Sequence, residues 1–341
     1  MGFERKLLSL AAALSAAITL STAGATPPTG RPSATLLATG LQGALGSALG
    51  PGGALYVTEG VAGRISRVDP RTGQITAFAS GLPTRLPGLP ISGAIDVAFI
   101  GTTAYALVTL VGADVGGSAV VGIYRMDGPT GFTPVADIGA FSLSHPPAYP
   151  VDVPTGVQYA LEPYRGGFLV TDGHHNRVLR VALDGKVSEL IAFDNIVPTG
   201  LAVSRNKVYV AEAGPVPHEP QDGKVVKLQA KSRAAKEVAA GAPFLVDVEF
   251  GRGHRLYALS QGTYVDGGPG APALPNTGSL VKVKRDGTFT VIVDGLNLPT
   301  SVEFIGNTAY VVCLTGEIWK VEGVHHGNDD SDGDGENEED D

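Results

Sequence analysis

The sequence predicts an all-β chain, a six-bladed β-propeller whose N-terminal strand closes the last blade. Three observations lead there. A four-strand unit recurs six times, no segment carries a helical period of useful length, and the two ends of the chain complement each other. Gly supplies 47 of the 341 residues, as a chain rich in tight turns requires.

The first element stands outside the repeat. Arg5 and Lys6 give a positive start, Leu7 to Leu20 an apolar stretch, and Ala23-Gly24-Ala25 a small-residue cleavage site. Residues 1–25 therefore read as a signal peptide cut near Ala25, and the expected protein is secreted, extracellular or periplasmic. No later stretch reaches the roughly 18 apolar residues of a membrane helix, so no transmembrane anchor is expected. The sole cysteine, Cys313, sits in an apolar strand pattern as a small buried hydrophobe, which leaves no internal disulfide.

Residues 26–323 carry the repeat. Each unit has a strand built on an aromatic or aliphatic pair: Leu55-Tyr56-Val57, Ala104-Tyr105-Ala106, Phe168-Leu169-Val170, Val208-Tyr209-Val210, Leu256-Tyr257-Ala258 and Ala309-Tyr310-Val311. Each is followed by a strand of period two, such as Ile65 to Val68 or Val178 to Val181. Turns such as Asp184-Gly185 and Asp286-Gly287 lead to a third strand in five units. A further short strand precedes each pair, as in Ala94 to Phe99 and Ser301 to Phe304. The last unit stops at Val321 without an outer strand, and Thr35 to Leu41 resembles the outer strands Thr76 to Leu82 and Val291 to Leu296. Residues 34–41 are thus expected to complete blade six and remove an open edge.

These residues carry a resemblance. The segment VTDGHHNRVLRV at 170–181 is similar to an NHL-type propeller repeat. Together with LLATGL, GPGGALYVTEG, DVAFIGTTAYALVT, GGFLVTDGHHNRVLRV and LVDVEFG, it makes the chain resemble the secreted ScyD/ScyE family over roughly residues 33–323. The resemblance implies a secreted propeller, and family members mostly lack an assigned activity. VDVPTG at 151–156 departs from the family's Asp-Ser-Asn-Pro-like segment.

Charge narrows the partners. The formal net charge is −9, and nine of the 34 acidic residues fall in Asp329 to Asp341. The rest balances, 25 acidic against 25 basic, so no nucleic-acid partner is expected. Residues 324–341 read as an acidic disordered tail, although Asp330 to Gly335 matches the start of a calcium loop.

Aligning the innermost strands sets Gly46, Asp96, Gly156, Gly200, Asp247 and Ser301 in one channel-facing layer, with Ala48, Ala98, Gln158, Ala202, Glu249 and Glu303 in the next. Asp96 and Asp247 then oppose each other across the channel. With Glu249 and Glu303 they are the candidate metal ligands, for calcium or magnesium, against the alternative of a hydrated channel without metal. Thr155, Thr199 and Thr300, in Pro-Thr-Gly or Pro-Thr-Ser segments, are read as equivalent donors around the channel mouth, joined there by Asp152.

Long loops at 109–121, 213–223 and 262–279, with the proline-rich connection 144–155, mark one face for binding. Its reactive-looking members are His145, Asp152, His218, Glu219, Tyr264 and Asp266. Glu59 with Arg64 and Asp172 with Arg177 repeat an acid-to-Arg spacing that reads as structural. The adjacent His174-His175 and His325-His326 pairs make poor ligand geometry, and the Lys224 to Lys236 cluster reads as a solvated hairpin.

The leading functional reading is a monomeric secreted binding module for a small polar ligand or another extracellular protein. The alternative is a divalent-metal-dependent hydrolase or lactonase acting on a small polar substrate in the channel. A quinone-dependent sugar dehydrogenase finds no Arg and His constellation, so no organic cofactor is expected. No nucleophile elbow or phosphate-binding glycine motif is present.

Overall fold

The computed structural model describes residues 32–229, 234–265 and 270–325. The signal segment, Asp266, His326 and the acidic run from Asp329 lie outside the described residues. Six four-stranded antiparallel sheets stand as the blades of a propeller. Blade one is β2 (Ala44–Gly50), β3 (Ala54–Glu59), β4 (Arg64–Val68) and β5 (Ile75–Ser80). Blade two is β6 (Gly93–Ile100), β7 (Thr103–Thr109), β8 (Gly122–Met126) and β9 (Phe132–Asp137). Blade three is β10 (Gln158–Tyr164), β11 (Gly167–Asp172), β12 (Arg177–Ala182) and β13 (Val187–Ala192). Blade four is β14 (Pro198–Ser204), β15 (Lys207–Glu212), β16 (Gly223–Gln229) and β17 (Ala234–Ala242). Blade five is β18 (Leu245–Phe250), β19 (Leu256–Ser260), β20 (Gly278–Val283) and β21 (Phe289–Leu296). Blade six is β22 (Pro299–Ile305), β23 (Thr308–Cys313), β24 (Ile318–Glu322) and, from the other end of the chain, β1 (Ser33–Ala38).

The expected closure is present. β1 runs antiparallel to β24 with Leu36 opposite Trp319, so the last blade has its outer strand and β24 no open edge. Besides three single 3-10 turns, one α-helix among the described residues departs from the all-strand expectation: α1 (Ile138–Ser144) sits in the connection from blade two to blade three. Asp137 caps it, accepting from the Ala140 amide at 2.7 Å. A seven-residue helix is too short to leave a periodic signature in the sequence.

The repeated aromatic of the second strand packs on the next blade. Tyr56 meets Phe99 with ring centroids 4.7 Å apart, Tyr105 meets a buried Phe168 at 4.9 Å, and Tyr257 meets Phe304 at 4.7 Å.

Around the axis, polar side chains tie blade to blade. The Thr58 hydroxyl donates to the Ile95 carbonyl at 3.0 Å, and Thr109 both donates to Gln158 Oε1 and accepts from its amide, each at 3.0 Å. Thr171 donates to the Thr199 carbonyl at 2.6 Å and Thr199 to the Leu245 carbonyl at 2.9 Å. Gln261 Nε2 donates to the Pro299 carbonyl at 3.3 Å, and Thr300 closes the circuit on the Leu45 carbonyl at 2.8 Å. Every junction of the ring is crossed by at least one such bond, in a setting where an unpaired carbonyl is costly.

Candidate functional site

Two concavities lie along the axis. The first is a chamber of about 260 Å³ inside the channel, and the second is a pocket of about 440 Å³ under the long loops. Tyr159 and Thr300 line both. Tyr159 crosses the channel from blade three to blade six, where its hydroxyl donates to the Thr300 carbonyl at 3.3 Å. Its side chain therefore forms the partition between the two.

The chamber corrects the sequence alignment in blade three. Register pairs Ala48 with Tyr56, Ala98 with Tyr105, Ala202 with Tyr209, Glu249 with Tyr257 and Glu303 with Tyr310. The blade-three counterpart is Glu162, paired with Leu169. Gln158 lies four residues too early, and Ala160 replaces Gly156 in the first layer. Pro154-Thr155-Gly156 misleads because it copies the Pro198-Thr199-Gly200 segment. Spacing would have found the error: the channel residue precedes the aromatic landmark by seven or eight positions in the other blades, and Gln158 precedes Leu169 by eleven.

Asp96 and Asp247 do line the chamber together, yet neither has an idle oxygen. Asp96 accepts from its neighbour Val97 at 2.8 Å and, across the blade junction, from the Leu161 amide at 2.7 Å. Asp247 repeats this with Val248 at 2.9 Å and Val302 at 2.8 Å. Ser301 does the same neutrally, accepting from the Ser47 amide at 3.2 Å. These side chains are inter-blade ties.

Glu162, Glu249 and Glu303 complete the acidic lining. Burial pushes Asp96, Glu162 and Glu303 well above the usual carboxylate range, and the neighbouring acids push them further. Burial also raises Asp247 to about 7 and Glu249 to about 8. Asp96, Asp247, Glu249 and Glu303 all line the chamber without converging as one ligand group. Among the described residues, no three His, Cys, Asp or Glu side chains are arranged to hold a metal ion. The amides already occupy the aspartate oxygens that calcium or magnesium would need.

The loop-face pocket draws on blades two to six. The connection 144–155 gives Tyr149 and Asp152, the blade-three turn His174 and Asn176, the 213–223 loop His218, and blade five Phe244, Gln261 and Tyr264. The 109–121 loop contributes indirectly: Asp114 accepts from the Thr155 amide at 3.0 Å and its hydroxyl at 2.8 Å, pinning the connection. Thr155 is therefore not a mouth donor; the register gives Tyr159 its supposed place beside Thr199 and Thr300. Thr199 and Thr300 reach the pocket, but their hydroxyls already donate across blade junctions.

Other polar lining groups are committed in the same way. Asn195 exchanges hydrogen bonds with the Val216 backbone at 3.3 and 3.4 Å. Gln261 Oε1 accepts from the Ala273 amide at 2.9 Å while its Nε2 ties blade six. His174 and His218 differ. Burial lowers both from the ordinary imidazole value, so both rings are neutral near pH 7. His218 packs against Phe244 and Tyr264 with ring centroids 4.8 and 4.9 Å away, and its Nδ1 is buried without a partner. No Lys or Arg is among the described lining residues.

The remaining candidates lie outside the pocket lining. His145 stacks on Phe141 at 4.3 Å, and Glu219 is exposed outside the pocket lining. Glu59 binds Arg64 Nε at 2.7 Å and the Gln42 amide at 2.7 Å. Arg177, fully buried, donates to Asp172 at 3.1 Å, to the His145 carbonyl at 2.8 Å and to Ser142 at 2.9 Å, fastening α1 to blade three. Cys313 is buried, where desolvation pushes its thiol up to about 12. No helix among the described residues is long and apolar enough to cross a membrane.

Solved structures with the same architecture include a gluconolactonase from Xanthomonas campestris at 13% identity and TM-score 0.58, covering 85% of this chain and 89% of that one. A quinone-bound aldose sugar dehydrogenase from Streptomyces coelicolor matches at 14% and 0.55, covering 87% and 99%. Virginiamycin B lyase from Staphylococcus aureus matches at 16% and 0.51, covering 86% and 99%. At these identities the likeness establishes the six-bladed propeller fold, and three such different activities on one fold assign none of them here. No protein-family model matches the chain, and neither does any curated protein.

Proposed function

We propose that this protein is a secreted binding protein of ScyD/ScyE type that seats a small, neutral organic molecule in its loop-face pocket. The observation that carries the reading is the pocket itself: about 440 Å³, walled by Tyr149, Tyr159, Phe244 and Tyr264. That size and an aromatic wall with few convergent polar groups suit a drug-sized ligand. The lining is more apolar than the small polar ligand expected from sequence would favour. With Asp152 its only described carboxylate and no facing cation, it disfavours anions. Secretion and the family resemblance rest on the sequence motifs.

The metal-dependent hydrolase or lactonase reading receives less support. Two of its four candidate ligands, Asp96 and Asp247, are acids whose oxygens hold neighbouring blades together. The proposal is tested by saturation-transfer NMR with a library of neutral aromatic fragments. Hits should disappear in Tyr149→Ala and Phe244→Ala and persist in Glu303→Gln. Hits that persist in both pocket variants and vanish in the channel variant would place the binding site in the chamber instead.

A further inference from the structure

Resting on that reading, we infer that the pocket recognises a flat ring bearing an N–H or O–H donor at its edge, and that His218 accepts this hydrogen bond. Thr199, Thr300, Asn195 and Gln261 all line the pocket, yet their polar atoms are turned into backbone hydrogen bonds. A ligand would find those walls already satisfied. His218 is the contrast: it lines the same pocket with a buried Nδ1 that has no hydrogen-bond partner, while the Ala213 and Pro215 backbone lies against its ring. A buried, unpartnered polar nitrogen is costly in a folded protein, and a ligand that supplies its partner removes that cost.

Tautomer fixes the direction of the bond: the Ala213 and Pro215 backbone carbonyls face the ring and Nδ1 has no partner, so the ring hydrogen sits on Nε2 and Nδ1 accepts. A neutral imidazole carries one accepting nitrogen, and burial keeps His218 neutral near pH 7. The absence of a described Lys or Arg in the lining leaves no charged donor to compete for it. Shape fixes the rest of the ligand. The rings of Phe244 and Tyr264 lie 5.1 Å apart by centroid and both flank His218. They offer aromatic surface beside the acceptor, so a flat molecule can pack on it while its edge reaches the imidazole.

The experiment compares 3-methylindole with 1-methylindole, which match in volume and differ in whether the ring nitrogen keeps its hydrogen. Titration calorimetry on wild type should give about tenfold tighter binding for 3-methylindole, the value of one neutral hydrogen bond at a desolvated site. The preference should collapse to less than about twofold in His218→Phe and partly survive in His218→Gln, which keeps an accepting oxygen. Thermal melts confirm that both variants fold. The His218 Nδ1 resonance in 15N spectra should move with 3-methylindole and stay with 1-methylindole. Equal affinity of the two probes for wild type would overturn the acceptor role while leaving the pocket as a binding site. Failure of both probes to bind at millimolar concentration would sink the pocket reading and this inference together.

Discussion

The channel chamber and the loop-face pocket share a wall, and both are lined by polar residues, but their titratable side chains are used differently. In the chamber, Asp96, Asp247 and Ser301 each reach across a junction to an amide of the next blade. In the pocket, His174 and His218 approach the cavity with neutral rings, and His218 holds an unpartnered nitrogen. A polar group at the axis of a ring is close to two blades and finds backbone partners there. One carried on a long loop has fewer backbone groups within reach. The conspicuous Asp96 and Asp247 therefore act as ties between blades, whereas His218 keeps an unpartnered nitrogen at the pocket.

The strongest way to break this contrast is to crowd the channel. A Cβ built on Gly46 would stand 2.0 Å from Asp96 Oδ1 and 2.7 Å from Asp96 Cα, so backbone must move. Gly200 meets Asp247 in the same manner, with Cα at 2.5 Å. The Gly-then-Asp pair thus recurs three blades apart as a packing unit. Gly46→Ala should cost about 3 kcal/mol or more by overpacking, read as a large fall in chemical-denaturation midpoint. A midpoint within error of wild type would show that the blades are not held this closely.

Removing a tie should cost somewhat less. Asp96→Ala leaves the Leu161 and Val97 amides without their acceptor. The expected loss is about 2–3 kcal/mol, the cost of buried donors left unmade. Fragment binding in the pocket should persist, because Asp96 lines the chamber alone. Loss of binding with unchanged stability would assign Asp96 a functional role.

How far the sequence made this visible follows from the same contrast. Blade count, closure by the N-terminal strand and the opposed Asp96 and Asp247 could all be read, because they depend on period and order along the chain. Glu162 was hidden by the Pro154-Thr155-Gly156 segment, which imitates the start of an inner strand four residues before the real counterpart. The roles of Thr199 and Thr300 were hidden for another reason. Alternation tells which side of a strand a residue occupies, but only the neighbouring blade decides that a hydroxyl is consumed by its carbonyl. The pocket was least legible. Its aromatic wall gathers Tyr149, Tyr159, Phe244 and Tyr264 from separate segments with no shared spacing.

Titration should separate the two regions by sign. The channel acids have folded-state values raised above the unfolded carboxylate value of about 4, with Asp247 at about 7 and Glu249 at about 8. Their contribution is full below the unfolded value and is lost as pH rises through the folded values. Stability should therefore fall between about pH 4 and pH 8 on their account, and Glu303→Gln should flatten that decline. The pocket histidines are lowered instead. Their contribution is present above the unfolded value of about 6.5 and is lost as pH falls through the lowered one. His218→Gln should flatten only this acidic limb. Thermal melts across pH 4–9 for wild type and both variants provide the check. A single variant that flattened both limbs would show that chamber and pocket titrate as one unit.

The smallest expected effect tests the partition itself. Tyr159 separates the cavities by its ring, and its hydroxyl makes one long bond, 3.3 Å, to the Thr300 carbonyl. Burial raises that hydroxyl far above the ordinary phenol value, so it stays a neutral donor throughout the accessible pH range. Tyr159→Phe keeps the ring and removes the donor. The Thr300 carbonyl then loses a partner, which should cost about 1 kcal/mol or less for a bond of this length. With the ring in place, 3-methylindole affinity should change by less than about twofold. Melting and calorimetry on the same preparation decide between two accounts of the partition. If affinity drops about tenfold while stability holds, the hydroxyl belongs to the pocket's recognition set, and the division between architectural and ligand-facing groups must be redrawn with Tyr159 on the pocket side.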